Sequence, residues 1–418
     1  MSLLYFLYLS WCGITTFKSG HFFLACHTPL IGGAADLGDN APIINKYTKS
    51  VTKLSQCGDL IICIRATLGR PVIADGEYCL GRGVAGCRSS RIDISFLRFF
   101  FINFERYLYD NATGSTFAQV TSKVLGKMPI PLPPFLEQSR IVARIESLFA
   151  KLDEAKEKIQ EVLDGADLRR DAILHQAFSG KLTEKWRKEN GVSDDWDYKL
   201  LYQTDIQIID GDRGKNYPKK DEFTSSGYCV FLNAKNVTKN GFLFDDIQYI
   251  SKEKDESLRK GKLERGDIVL TTRGTVGNIA YYDEKIPFDN MRINSGMVIY
   301  RGGMDFYKPF LIWLYKSSYI INQIKKLKTG SAQPQLPIKV MNNLNICIPS
   351  IPEQQEIVRL LDNLLSREQS NVTACEEALT TIDTLKKSIL ARAFRGELGT
   401  NDPTEPSAKE LLQEILAS

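Results

Sequence analysis

Residues 172–182, AILHQAFSGKL, return 216 positions later as residues 388–398, SILARAFRGEL, with six of eleven positions identical. At the same spacing Asp167 falls on Asp383, Glu161 on Glu377, Leu148 on Leu364, and EQSRIV (137–142) on EQQEIV (353–358). TGSTFAQVTSKV (113–124) falls on TGSAQPQLPIKV (329–340). Further upstream the spacing becomes 208, with GDLIICIRATLG (58–69) on GDIVLTTRGTVG (266–277), so the second copy carries eight extra residues between these landmarks. A period of about 200 residues is far longer than a solenoid repeat of roughly 20–50. The chain must therefore fold as a duplicated pair of domain-sized units.

Charge alternates in step with the duplication. Residues 1–136 hold 13 basic and 8 acidic groups, residues 137–195 hold 11 and 13, residues 196–345 hold 23 and 17, and residues 346–418 hold 7 and 12. The positive segments suit a polyanion and the negative ones do not. With 43% hydrophobic and 25% charged residues, the composition is that of a folded protein rather than a disordered one. Nine cysteines without a CxxC pair fit a reducing cytoplasm and offer no zinc framework. Only His21, His27 and His175 are present, which is thin for metal or acid–base chemistry. The apolar opening, MSLLYFLYLSWCGITTF, lacks a basic flank and is too short to span a bilayer, so it is expected as a buried strand or as a misplaced or truncated start.

Each negative segment reads as one long helix. Ile141, Ile145, Leu148, Leu152, Ala155, Ile159, Val162, Ala166 and Ile173 alternate spacings of four and three, with Arg169 filling the gap. Ile357, Leu361, Leu364, Cys375, Ala378, Ile382, Leu385 and Ile389 repeat the seam, with Glu368 and Asn371 as polar interruptions. PLPPFLEQ announces the first helix and Gly180 ends it. At about 40 residues each, the helices would be roughly 60 Å long and could pair with one another. The positive segments read as mixed α/β: GDIVLTTRG and SGMVIYR as strands, and FYKPFLIWLYKSSYIINQIKKL and ISFLRFFFINFERYLYD as helices. TEKWRKENGVSDDW is expected as a polar linker, and the tail as a loop with a short final helix.

Catalytic motifs are missing. There is no GxxxxGK[ST] phosphate loop and no FxGxG turn for S-adenosylmethionine. LPPFLEQ resembles the Asn/Asp-Pro-Pro-aromatic signature of adenine methyltransferases, but Leu132 stands where a polar side chain must hold the amino group. What remains is binding. Arg and Lys suit phosphates and guanine, and Asn and Gln suit adenine. Arg65 and Arg273 occupy equivalent places after a strand, and Gln119 and Gln335 match inside the TGS loop. With Arg70, Arg82, Arg213, Lys215, Asn233, Lys235, Asn236, Asn278, Arg292, Asn294 and Ser295, they form the candidate DNA-contacting set.

The paired segments PLPPFLEQSRIVARIESLF with DAILHQAFSGKLTEKWRKEN, and IPSIPEQQEIVRLLDNLL with SILARAFRGELGTNDPTEPSAKELLQEI, resemble the DNA-specificity subunit of Type I restriction–modification systems. The resemblance covers the chain from about Asp36 onward. It implies two α+β target-recognition domains joined to an antiparallel coiled coil. The boundaries would be 1–136 and 196–349 for the recognition domains, 137–182 and 350–398 for the helical segments, 183–195 for a linker and 399–418 for a tail. Each domain would read half of a split, asymmetric target in double-stranded DNA, the helices holding them apart. Two methylation subunits would dock on the chain, and restriction subunits would join through them. Methyl transfer from S-adenosylmethionine to adenine N6, and ATP- and Mg-dependent cleavage, would reside on those partners. This chain would be a non-catalytic, cytoplasmic part of bacterial defence. The first domain is expected to be short, either a compact variant or one without its true beginning. Two rivals stand beside this reading: a coiled-coil scaffold that binds no DNA, and the recognition part of a fused restriction–methyltransferase enzyme, which would need catalytic motifs this chain lacks; an inactive truncated remnant is a softer variant of the main reading.

Overall fold

The computed structural model describes residues 6–8, 15–16, 28–114, 116–327, 334–405 and 408–417. His21, His27, the TGS loop at 329–331 and the burial expected for the apolar opening lie outside the described residues. The chain divides into two compact units, Met1–Glu161 with Cys375–Ser418, and Val162–Ala374.

The first unit runs β1 (Phe6–Tyr8), β2 (Thr15–Thr16), β3 (Thr28–Ile31), β4 (Tyr47–Thr48), β5 (Leu60–Cys63), β6 (Gly69–Ile73), β7 (Cys79–Leu80), β8 (Val84–Arg88), α1 (Ile94–Asn103), α2 (Glu105–Asp110), α3 (Ser122–Gly126), β9 (Pro129–Pro131) and α4 (Phe135–Asp164). An antiparallel sheet has the order β2-β8-β5-β6. A second sheet, β4-β3-β7, contains a parallel β3–β7 pair, and β1 pairs with β9.

The second unit runs α5 (Ala166–Phe178), α6 (Glu184–Asn190), β10 (Asp197–Leu200), β11 (Gln207–Asp210), β12 (Cys229–Leu232), β13 (Val237–Thr238), β14 (Gly241–Phe242), β15 (Gln248–Ile250), α7 (Lys252–Ser257), β16 (Ile268–Thr271), β17 (Ile279–Tyr281), β18 (Met291–Ile293), β19 (Met297–Arg301), α8 (Lys308–Lys316), α9 (Ser318–Leu327), α10 (Ile338–Met341), β20 (Asn345–Ile348) and α11 (Ile351–Ala393); α12 (Ala408–Ala417) closes the chain. Its sheets repeat the first unit's order: β11-β19-β16-β17, β15-β12-β18 with a parallel β12–β18 pair, and β10 with β20. The duplication thus extends from sequence to topology.

The central strands are buried throughout because each face meets a different core. In β5, Leu60 and Ile62 join Phe96, Leu97 and Phe100 under the helices. Ile61 and Cys63 join Ile31, Val72 and Leu80 between the sheets. In β16, Ile268 and Leu270 face Phe310 and Leu314, while Val269 faces Val230 and Met291. Alternation of side chains along a strand makes this division automatic. Gly58 and Gly266, at φ +86° and +91°, are the third residues of the turns that lead into these strands. The aspartate that follows each glycine is buried and tied to an arginine, Asp59 to Arg88 at 2.6 Å and Asp267 to Arg301 at 2.7 Å.

The long helices pair antiparallel inside each unit. In the first, Ile141 and Ile145 near the start of α4 share a core with Leu390, Ala393 and Phe394 at the end of α11, and Asp153 meets Lys386 further along. In the second, Leu174, Ala177 and Phe178 at the end of α5 share a core with Ile357 and Leu361 at the start of α11. Ile382 is buried, while Leu148, Leu152, Ile159 and Leu364 are half-buried. Three expected seam residues are not in the seam: Val162 and Leu385 are 42% and 44% exposed, and Asn371 is exposed. A heptad frame drifts by about 20° per seven residues on a straight helix, and the first helix is broken at Gly165 between α4 and α5.

Two other expectations change. The stretch at 183–195 is not a free linker. It holds α6, closed by Gly191 at φ +66°, and buries Thr183 and Arg187. The long helix expected before residue 328 is two, parted at the buried Ser317, whose hydroxyl donates to the Leu314 carbonyl and competes with the helical ladder. Among the described residues, no helix is long and apolar enough to cross a membrane.

Candidate nucleic-acid interface

The loops that leave β5 and β16 begin with the matched arginines. Arg65 forms an isolated antiparallel bridge with Gln119, and Arg273 forms the same bridge with Gln335. Flanking backbone bonds fix the register: Ala66 N to Ala118 O at 2.8 Å and Val120 N to Ile64 O at 3.0 Å in the first unit, and Leu336 N to Thr272 O at 2.9 Å in the second. Residues directly opposite in such a pair have Cβ atoms about 4.5–5.5 Å apart. Each unit therefore sets a guanidinium beside a carboxamide at the end of its central strand. Arg65 and Gln119 are exposed, and Arg273 and Gln335 half-buried. Neither arginine holds an ion pair among the described residues.

In the second unit the pair opens onto a cleft of about 250 Å³, lined also by Asp210, Arg213 and Thr272. Arg213 pairs with Asp210 at 3.0 Å and donates to the Ser295 carbonyl at 3.4 Å. Gly211 permits this approach, since a Cβ there would collide with the Asn294 carbonyl. Three of the sequence candidates, Arg213, Arg273 and Gln335, thus converge on one concave surface.

Other candidates divide into two groups. Arg82, Lys215 and Lys235 are exposed on turns and remain open to a polyanion. The rest shape loops. Asn233 accepts from Lys235 N at 2.9 Å, and Asn294 accepts from Gly296 N at 2.9 Å. Asn278 donates to the Val237 carbonyl at 2.9 Å, and Arg70, at the matching place in the first unit, donates to the Ala34 carbonyl at 3.2 Å. Two expected contacts lie in the interior instead. Asn236 is 2% exposed and donates to the carbonyls of Leu243 and Asp246. Arg292 is 4% exposed, and every guanidinium nitrogen is engaged: Nε with Asp255, Nη1 with Lys260 O at 2.8 Å, and Nη2 with Asp255 O and Leu258 O at 2.7 and 3.1 Å. Four of its five N–H donors are spent inside the protein, and the buried group is out of reach of a ligand. Burial works to raise the Asp255 carboxyl, but hydrogen bonds from Lys262 and Arg292 outweigh it and hold the group below its usual range.

Sequence reasoning gave no role to the repeated EQ pair. Gln138 is fully buried, accepts from Asp93 N at 2.8 Å and donates to Pro133 O at 2.9 Å. Gln354 accepts from Tyr307 N and donates to Pro349 O and Asp305 O, all at 2.8 Å. Each glutamine ties the start of a long helix to the start of a recognition-unit helix. Glu353 is buried under the segment after α5, bonded to Thr183 at 2.6 Å, Arg187 at 2.5 Å and Trp196 at 3.1 Å. In the first unit the tail covers the start of α4, Arg140 pairing with Glu405 at 2.7 Å. The repeat EQSRIV/EQQEIV was the available signal.

Comparison with known proteins gives a consistent result. The sequence family described as Type I restriction modification DNA specificity domain matches residues 29–164 and 197–375. The Type I restriction enzyme EcoBI specificity subunit of Escherichia coli is 27% identical over 341 residues, 77% of this chain and 71% of that protein. The EcoKI specificity subunit of Escherichia coli strain K12 is 26% identical over 302 residues, 69% of this chain and 63% of that protein. Among solved structures, the HsdS subunit from Thermoanaerobacter tengcongensis superposes with a TM-score of 0.63 at 18% identity, covering 92% of this chain and 97% of that one. At that identity the likeness is one of fold.

Proposed function

This chain belongs to the Type I restriction–modification DNA specificity family, and from that premise we propose that each of its two units reads one half of a bipartite, asymmetric DNA target. It is a specificity subunit, and it works with the methylation and restriction subunits of its complex. The finer reading is that two methylation subunits dock on it. They transfer the methyl group of S-adenosylmethionine to adenine N6, and the restriction subunits use ATP and Mg. This chain itself performs no chemistry and supplies the address.

The observation that carries the reading is the arginine–glutamine bridge built twice, Arg65 with Gln119 and Arg273 with Gln335, at the same point of the same topology. An arginine can bond guanine O6 and N7 together, and a glutamine adenine N6 and N7, each good pair being worth about 1–3 kcal/mol of discrimination. Side by side on two bridged segments, they suit adjacent base edges in a major groove. The loops around the two bridges differ, RATLGR against RGTVGN, so the two half-sites need not match.

The test is methylation mapping. The chain is co-expressed with its methylation partner in a host without adenine methylation, and the DNA is sequenced with modification detection. The expected result is a split motif with methyladenine on both strands. A contiguous motif, or one with a single defined half, would contradict two-unit reading.

A further inference from the structure

The neighbours of the second bridge, Gly274 after Arg273 and Pro334 before Gln335, line a second and larger groove of about 650 Å³. Four cations from four elements line it: Arg170 from α5, Lys239 at the β13–β14 turn, Lys316 at the end of α8 and Lys325 from α9. Asp167 and Asp171 of α5 line it too, leaving the cations in excess. None of the four cations holds an ion pair among the described residues. Lysines favour helix C-termini in general, which accounts for Lys316 and Lys325 but not for Lys239 on a hairpin. The Lys316 ammonium lies 5.2 Å from the centroid of the Trp313 ring. It is held below its usual range, by burial first and by the positive charge of Arg170 second. Like charges drawn together around a groove favour an anion between them. Gly274 and Gly277, at φ +73° and +98°, leave the loop between them without Cβ atoms at two points where a backbone could approach.

Among the described residues, the first unit lacks this arrangement. The Leu37–Pro42 bridge corresponds to the Val237–Phe242 pair, which sets Asp39 where the second unit has Lys239. Counted from the residues that meet the buried glutamines, Asp93 and Tyr307, Ile102 of α1 takes the place of Lys316. The counterpart of Arg170 is Lys386, and it is engaged with Asp153.

We propose that this groove is a DNA-backbone site, in which Arg170, Lys239, Lys316 and Lys325 hold phosphates flanking the half-site of the second unit. The subunit then grips its target more strongly through the second unit than through the first. The proposal rests on the DNA-reading role given above. It adds an electrostatic asymmetry between the two halves that the duplication alone does not supply.

The test uses the full chain assembled with its methylation partner, and DNA carrying the mapped target, with binding measured between 50 and 200 mM salt. A Lys239→Ala, Lys325→Ala variant changes two exposed side chains and leaves Lys316 in place. Each lost phosphate contact should reduce the slope of log K against log salt by about 0.9, so roughly 2 for the pair. The ratio of specific to random binding should stay unchanged. An unchanged slope with target preference intact overturns the groove proposal alone. A wild-type complex with no preference for its target overturns the DNA-reading role and the groove with it. A variant that loses its methylation partner while keeping the salt slope identifies a protein-docking face and also overturns the proposal.

Discussion

Arg169 donates from Nε to Glu368 at 2.9 Å, and its Nη2 lies 2.8 Å from the same carboxylate oxygen while donating to the Val162 carbonyl. These are polar interruptions of two otherwise apolar seams, and they meet each other. An ion pair inside a helix seam fixes register, because a shift by one heptad sets each charge against apolar side chains. The pair lies near the end of the second unit's share of both helices, where the side chains are 41% and 15% exposed.

A double-mutant cycle on Arg169→Leu and Glu368→Leu checks this role. With solvent reaching the arginine, the coupling energy should be about 1 kcal/mol or less. The charge-swapped pair, Arg169→Glu with Glu368→Arg, should recover most of the stability that either swap alone removes. Additive losses in denaturant titrations would show that the two charges do not hold the register.

Arg292→Met should destabilise the second unit, by up to roughly 3–5 kcal/mol, because it leaves the buried Asp255 carboxylate with Lys262 as its remaining charged partner. Calorimetry on the purified chain reads this directly. A folded variant with a relaxed DNA target would instead restore Arg292 as a reading residue. The same pair sets a pH dependence. Because Asp255 is held below its usual range, its contribution is fully present above the ordinary carboxylate pKa of about 4. It is lost as pH falls through the lower folded value. Asp255→Asn should therefore flatten the acid limb of the stability profile, and an unchanged limb would contradict the pairing.

Gln138→Leu and Gln354→Leu should each lower stability by about 1–3 kcal/mol, since each leaves a buried backbone N–H and carbonyl without a partner. The loss should be at least as large at Gln354, whose amide bonds one more carbonyl than that of Gln138. Thermal unfolding of both variants checks this, and a neutral result for either would show that water replaces its amide.

Legibility in the sequence followed how local the cause was. The repeat fixed the matching of Arg65 with Arg273 and of Gln119 with Gln335 before any fold was known. The strands at GDIVL and SGMVIYR followed from composition and turn residues. What escaped depends on partners far along the chain. Arg273 and Arg292 are both arginines near strand ends, and only Asp255, packed against one of them, makes Arg292 interior. Arg187 reads as a linker charge until Glu353, 166 residues away, buries it. Asn371 and Leu385 fit a heptad frame on paper, but the straight-helix repeat carries them out of the seam.

The most direct test of two-unit reading compares the methylation motifs written by Arg65→Ala and Arg273→Ala complexes with that of the wild type. Each variant should relax or lose positions in one half of the motif only, a different half for each, with about 1–3 kcal/mol of discrimination lost at the affected base pair. Relaxation of the same half by both variants, or uniform weakening without any change of motif, would contradict the account.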